Sequence, residues 1–353
     1  MTNKQSRKTP TPPGAKPRLQ MVDIAKMAGV STATVSRALN DSPLVTPETR
    51  ARIAELARSM NYTINAGAKH LRLGQNKTVA LVLPYERDSR QSVSDPFFLS
   101  MFGAIADALT ERGYDMLVSR VDASELDCAA QLYNAGRAMG IILIGQWRHH
   151  EQLKAMAERG VPLVVWGAQM TDGGYCTVGC DNIAGGELAT EHLIACGRRR
   201  IAFIGDTVFP EVAQRMEGYR RALARHGIVA DERLSIAASF LADGARQAMA
   251  ELKRRQAPFD AVFACSDLLA LTAIGALEQQ GLKVPRDVSV VGYDDVAMAS
   301  YFHLPLTTVR QDIEAGGREL VAALIERIGH QEPASRVVAT ELVIRETSRV
   351  PAA

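Results

Sequence analysis

Two groups of side chains in this sequence have the types and spacing to do chemistry. The first is Thr32, Ala33, Thr34, Ser36 and Arg37, which share the outer face of a short helical pattern. Hydroxyls can bond base edges, a small methyl can meet a thymine methyl, and an arginine one turn on can reach a guanine or a phosphate. The second group is Arg215 and Asp294. Arg215 is expected at the start of a helix, and Asp294 at the carboxyl end of a buried strand. A fixed ionised donor and a fixed ionised acceptor are what the hydroxyls of a polyol require. Ser266 and Asp267 are candidates for the same site, although Asp267 equally suits a helix cap. Trp147 follows an apolar strand pattern, where ligands of strand-and-helix folds are bound, whereas Trp166 reads as a packed core residue.

The elements that must position these groups follow from the apolar spacing. In MVDIAKMAGVSTATVSRALN, Met21 to Asn40, residues Val22, Ile24, Ala25 and Ala28 form the inner face of a first helix. Gly29 permits a tight turn, Val30 tucks beneath it, and Ser31 is a good N-cap for the second helix. Val35, Ala38 and Leu39 then face inward. A third helix starts at Thr46 and Pro47 and runs to about Met60, with Ile53, Leu56 and Ala57 closing a small core. A helix-turn-helix sets the first residues of its second helix in the major groove, so the outer face falls where bases are read.

Beyond residue 77 the pattern changes. Apolar runs such as Val79–Leu83, Gly140–Ile144, Ile201–Ile204, Ala261–Ala264 and Val288–Val291 alternate with amphipathic stretches that often end at glycine. Alternation of this kind predicts parallel sheets covered by helices on both faces. The length favours two sheets over one. Ligands of such folds bind beyond the carboxyl ends of the strands.

Charge divides the chain in the same way. Residues 1–77 hold 13 of the 41 basic residues but only 4 of the 39 acidic ones, a net of +9, and the remainder carries −7. A polyanion-binding end on a body that does not bind polyanions has this signature. Residues 1–18 read as a disordered basic arm. No apolar run would cross a membrane, and the start does not read as an export signal, so a cytoplasmic location is expected. The five cysteines do not space as a disulfide framework. Cys176, Cys180 and His192 lie close in sequence but lack the spacing and fourth ligand of a zinc site. None of the common nucleotide, metalloprotease or serine-hydrolase motifs is present. No metal, no cofactor and no enzymatic activity are expected.

The run D-I-A-K-M-A-G-V-S-T-A-T-V-S-R-A-L-N, with V-T-P-E-T-R and N-Y after it, closely resembles the lactose-repressor (LacI/GalR) family of bacterial regulators. The resemblance continues through Asp95-Pro96-Phe97-Phe98, Gly197–Gly205, Arg215–Tyr219, Val288–Asp295 and Pro305–Asp312. It implies an N-terminal all-α helix-turn-helix domain at 19–62 and a hinge helix and linker at 63–77. After these comes an α/β body like a periplasmic binding protein, 78–353, of two doubly wound parallel-sheet subdomains. Their bounds are placed near 78–178 with 308–336, and 179–307 with 337–353. By the same resemblance Thr32, Ala33, Thr34, Ser36, Arg37, Asn40, Asn65, Ala68, Lys69 and Leu71 are DNA-binding positions, Leu71 as a minor-groove wedge. Phe97, Phe98, Trp147, Arg215, Ser266, Asp267 and Asp294 are effector positions, Phe97 and Phe98 competing with a helix-core role. Ile64 and Lys69 depart from the usual proline and arginine, and Gly67 should cost about 1 kcal/mol of helix propensity. The implied partners are double-stranded operator DNA, a sugar or sugar derivative, and a second copy of the chain. The helix from Leu99 to Leu109, with Phe102, Ile105 and Leu109, falls where the family builds part of its dimer interface. Two other readings stand beside a sugar-controlled repressor of carbohydrate genes: a small-molecule carrier without regulatory DNA binding, and a regulator using a corepressor such as a nucleobase.

Overall fold

The computed structural model describes residues 19–60, 62, 76–85, 93–146, 149–170 and 173–348. The expected basic arm, the hinge positions Ile64, Asn65, Gly67, Ala68, Lys69 and Leu71, and Trp147 lie outside the described residues. The chain forms two units, residues 1–75 and 76–353.

The N-terminal unit contains α1 (Met21–Ala28), α2 (Thr32–Leu39) and α3 (Pro47–Ser59). Gly29 ends α1 in the left-handed region at φ 67°, where a side chain would be strained. Ser31 Oγ accepts the Thr34 N–H at 3.1 Å and caps α2. Thr46 and Pro47 start α3 as the sequence implies. Ile24, Ala25, Ala28, Val35, Ala38, Val45 and Ile53 make the shared core. Arg52 reinforces it by donating to the Ala28 carbonyl at 3.2 Å. Val22 does not belong to this core. It is 41% exposed, because it precedes Ile24 by two positions on a helix whose buried stripe runs through 24, 25 and 28.

The body has two six-stranded sheets. In the first, β1 (Thr78–Tyr85), β2 (Asp115–Asp122), β3 (Gly140–Ile144), β4 (Leu163–Trp166), β5 (Cys176–Cys180) and β11 (Arg336–Val338) are parallel in the order β11-β5-β4-β3-β1-β2. In the second, the order is β12-β10-β9-β8-β6-β7. It uses β6 (Ile201–Ile204), β7 (Ser235–Ile236), β8 (Ala261–Ala264), β9 (Ser289–Asp294), β10 (Thr307–Gln311) and β12 (Thr340–Val343). Only β12 runs antiparallel to its neighbour, β10. The central strands are buried on both faces, which explains why they read as unbroken apolar runs.

The chain passes between the sheets three times. It leaves the first after β5, returns after β10 through Asp312, and leaves again at Ala339 between β11 and β12. Each switch falls slightly after the expected bounds of 178, 307 and 336, because β5, β10 and β11 run on to 180, 311 and 338.

The helix α4 (Pro96–Thr110) packs on α12 (Ile313–Ile328). Met101, Ile105 and Leu109 are buried there in the core of the first sheet, with Phe102 packed against them. The apolar stripe assigned to a subunit interface therefore faces the subunit's own interior, while Leu99 is the large apolar residue of α4 left exposed, at 52%.

The helices α7 (Asn182–Ala195) and α8 (Pro210–Arg225) cross with their backbones in contact. A Cβ at Gly186 would lie 2.2 Å from the Arg215 carbonyl oxygen, and one at Gly218 would lie 2.1 Å from the Ile183 carbonyl oxygen. These glycines bring Arg215 of α8 beside Asn182 of α7. Replacing Gly186 by Ala forces α8 away from α7. The expected loss is about 1–3 kcal/mol or more of body stability, as for other overpacked interiors, read as a lowered midpoint in urea unfolding.

Candidate DNA-reading face and interdomain cleft

On α2, Thr32, Ala33 and Arg37 are exposed, and Thr34 and Ser36 are half-buried. The Thr34 hydroxyl lies 2.9 Å from Ser31 Oγ, so the cap also orients it. Asn40, at the C-cap, donates its side-chain amide to the Ser36 carbonyl at 2.7 Å. The inward face is Val35 and Ala38, so packing on α1 and α3 fixes which residues look outward. A small, flat outer face of this kind lets a helix approach base edges closely.

In the body, the carboxyl ends of both sheets face one cleft of about 820 Å³, counting its open mouth. From the first sheet come Ile144 and Gly145 after β3, Trp166 at the end of β4, and Asp95, Phe97 and Phe98 at the start of α4. The second contributes Phe209, Glu211 and Arg215 from the start of α8, Ser266 after β8, Asp294 ending β9 and Gln311 ending β10, with Phe240 and Val296.

Arg215 is 5% exposed. Its Nε donates to Asn182 Oδ1 at 2.9 Å and its Nη1 to the Cys265 carbonyl at 2.5 Å. Its guanidinium stacks 3.6 Å from the centre of the Tyr293 ring. Tyr293, Asn182 and Cys265 thus hold it from three elements of one subdomain, and its remaining edge lines the cleft.

Asp294 is 7% exposed and accepts from Gln311 Nε2 at 2.6 Å. Burial pushes its carboxyl up to about 7, with Asp95 adding to the rise and the Arg215 guanidinium opposing it. Its backbone sits at φ 122°, and Asp295 follows at φ 57°, two successive residues where side chains are strained. Asp295 secures this turn through Arg310 at 2.7 Å and Arg345 at 2.6 Å.

Ser266 caps α10 (Asp267–Gln279) through the Leu269 N–H. Asp267 does not line the cleft. It is wholly buried, with Oδ1 accepting from Thr308 Oγ1 at 2.6 Å and Oδ2 from the Val296 N–H at 2.9 Å. Burial, then the neighbouring Asp294, raise it well above the ordinary carboxylate range. It braces the turn after β9 from beneath, which departs from the effector role expected of it.

Phe97 and Phe98 both line the cleft and pack on the first core, so the two roles weighed for them coexist. Trp166 is a core residue, as its context predicts, at 5% exposure; its remaining edge lines the cleft, 6.4 Å from Phe97. Asp95, Phe209, Glu211, Phe240 and Gln311 were not singled out. Glu211 had a readable signal, since it precedes Arg215 by one helical turn and shares its face. Burial raises Glu211, against its own N–H, the Arg215 guanidinium and the Gln146 backbone N–H. With Gln214 Nε2, which donates to the Gln169 carbonyl at 3.2 Å, Glu211 ties α8 to the opposite subdomain. Cys176 and Cys180 are buried strand residues. His192 Nε2 lies 2.7 Å from Ser348 Oγ, on the helix after them.

Comparison with known proteins places this geometry. Residues 20–65 match the bacterial regulatory proteins of the lacI family, and residues 190–348 match a periplasmic binding protein-like domain. The HTH-type transcriptional regulator CelR of Thermobifida fusca is 36% identical over 94% of this chain and 98% of its own. The ribose operon repressor of Escherichia coli is 30% identical over 87% and 92%. Among solved structures, a CelR–cellobiose complex covers 94% of this chain and 100% of its own at 34% identity and a TM-score of 0.69. A lac repressor dimer bound to operator and an anti-inducer covers 94% and 99% at 25% identity and a TM-score of 0.81.

A raised carboxyl makes stability depend on pH with a definite sign. The unfolded chain loses the Asp294 proton near pH 4, whereas the folded body keeps it to about pH 7. Between these values the folded state binds more protons, so stability falls as pH rises through that window and levels off above it. Asp294→Asn should flatten the part of the pH 4–8 stability profile due to this group, measured by urea unfolding of the body at each pH. An unchanged slope would contradict it.

Proposed function

This chain belongs to the LacI family of bacterial regulatory proteins, and we propose that it represses its target genes by binding an operator as a homodimer and releasing it when a sugar fills the cleft. The observation that carries the effector half is the chemistry of the cleft. Aromatic side chains from both subdomains, Phe97, Phe98 and Trp166 against Phe209 and Phe240, surround fixed hydrogen-bonding groups at Arg215, Asp294 and Gln311. Flat apolar faces stack against the C–H faces of a pyranose, and rigid charged groups hold its hydroxyls. The relatives named for cellobiose and ribose support a sugar over the other small molecules. The DNA half is carried by the outward face of α2, with Thr32, Ala33, Thr34, Ser36 and Arg37 meeting bases or phosphates and Asn40 at its end. Asn65, Ala68 and Lys69 serve as further DNA contacts, with Leu71 as the minor-groove wedge. The protein works in the cytoplasm, where the operator is.

Release follows from linkage. A sugar that bridges both subdomains binds their closed arrangement best and shifts the population toward it. If that arrangement disfavours the operator, DNA must in turn weaken sugar binding by the same factor. The test is fluorescence anisotropy on pseudo-palindromic DNA from the promoter beside the protein's own gene, with and without a sugar panel that includes cellobiose and ribose. The expected result is salt-sensitive, sequence-preferring binding that one sugar reverses. Arg37→Ala should weaken operator binding roughly 5- to 150-fold, the loss of one base or phosphate contact, with sugar affinity unchanged. Operator binding unaffected by every sugar would refute the induction mechanism, and a sugar that tightens it would reverse its sign.

A further inference from the structure

From the arrangement of carboxylates around the cleft, and resting on the sugar-effector reading above, we infer that Asp95, Glu211 and Asp294 act as a charge filter that restricts the effector to uncharged sugars and excludes phosphorylated sugars and sugar acids. Anion sites in α/β proteins draw on two resources, unpaired N–H groups at helix N-termini and cationic side chains. Both are already committed here.

Among the described residues, three helices of more than two turns begin at the cleft, each with its opening turn occupied from within, and at the single-turn helix Ala297–Tyr301 the N–H of the preceding Val296 is taken by Asp267 Oδ2. At α4, Asp95 Oδ1 takes the Phe97 N–H at 2.9 Å, and the Phe98 N–H also bonds this carboxylate. At α8 the first residue is Pro210, which has no N–H, and the Glu211 carboxylate folds back on its own N–H. At α10, Ser266 Oγ takes the Leu269 N–H, with the wholly buried Asp267 in the first turn. A carboxylate in the first turn cancels the positive end of the helix dipole that an external anion would otherwise meet.

The cations fare no better. Among the described residues that line the cleft, Arg215 is the one with a positive charge. It is bonded to Asn182 and Cys265, stacked on Tyr293, and electrostatically balanced by Asp294 and Glu211. Against it stand three lining carboxylates on both walls, Asp95 facing from one subdomain and Glu211 and Asp294 from the other. Above about pH 7, where Asp294 has lost its proton, a phosphate or carboxylate entering this space meets like charge in a partly desolvated site, where repulsion is strong. A neutral sugar instead offers hydroxyl donors to those carboxylates. Discrimination therefore comes from what the site rejects as much as from what it holds.

The experiment is isothermal titration of the full-length protein with matched pairs at pH 8: cellobiose against cellobionate, glucose against glucose 6-phosphate, and ribose against ribose 5-phosphate. The expected result is measurable binding of at least one neutral member, with its anionic counterpart at least 100-fold weaker. Asp95→Asn keeps the helix-capping acceptor and removes the charge. Glu211→Gln does the same at the opposite wall. Either should narrow the ratio about tenfold, chiefly by improving the anion. An anionic member binding as tightly as its neutral partner would overturn the filter while leaving the sugar reading intact. An unchanged ratio in both variants would overturn the assignment to these carboxylates. Failure of every sugar, neutral or charged, to bind would overturn the sugar reading itself and the filter with it.

Discussion

The constraint on which the cleft depends is a buried guanidinium. Removing Arg215 from water without compensation would cost several kcal/mol. The compensation comes from Asn182 at the start of α7, the Cys265 carbonyl after β8, the face of Tyr293 in β9, and the charge of Asp294 one residue further on. These groups lie on α7, the end of β8 and β9, so satisfying one charge on α8 fixes the relative positions of four segments. The close crossing of α7 and α8, possible only through Gly186 and Gly218, delivers Arg215 to that point. Asp294 reaches its place through a backbone turn that would be strained alone. The ion pairs of Asp295 with Arg310 and Arg345, and the bracing by Asp267 below, hold that turn in place. Rigid ends of the second sheet are thus a consequence of one buried charge.

The two subdomains have unequal parts in this. The second supplies the rigid, charged half of the cleft, whereas the first supplies Phe97, Phe98 and Trp166, with Asp95 as its acidic group. Each half has its own core, so opening the cleft need not disturb either. What joins them is three chain crossings and a few side-chain bonds such as those of Glu211 and Gln214 from α8. Two bodies joined in this way can take a closed and an open arrangement, as hinged domains do. A ligand that prefers one of them can then shift the balance, which is the condition for a small molecule to act as a switch.

The sequence made some of this plain and hid the rest for physical reasons. The helix-turn-helix was legible because its signals are local: Gly29 for the turn, Ser31 and Thr46 for the caps, and period-3.6 apolar positions for the core. Strands buried on both faces were legible as apolar runs, and those at Gly140–Ile144 and Ala261–Ala264 fall where they were expected. The mixed strands β10 to β12 gave no such signal, since Thr307 and Thr308 are buried by hydrogen bonding rather than by apolarity. Val22 and the stripe on α4 show the opposite limit. Periodicity identifies an apolar face but not what that face meets, and the α4 stripe meets α12 of its own subunit.

The cleft chemistry was half legible for the same reason. Arg215 and Asp294 each stand out locally, one opening a helix and the other ending a strand. That Asp95 comes to oppose Asp294 depends on two sheets joining end to end, and no spacing between residues 95 and 294 encodes that meeting. Trp166 keeps the core role its sequence context gives it and lines the cleft as well. At 5% exposure it is a packed residue, and the edge it leaves open is enough to form a wall. A binding surface on rigid elements has to be mostly buried, since neighbours that hold a side chain still also hide it. For a protein of this architecture, then, the residues that contact ligand are to be sought among nearly buried groups at strand ends, and exposure is a poor guide to them.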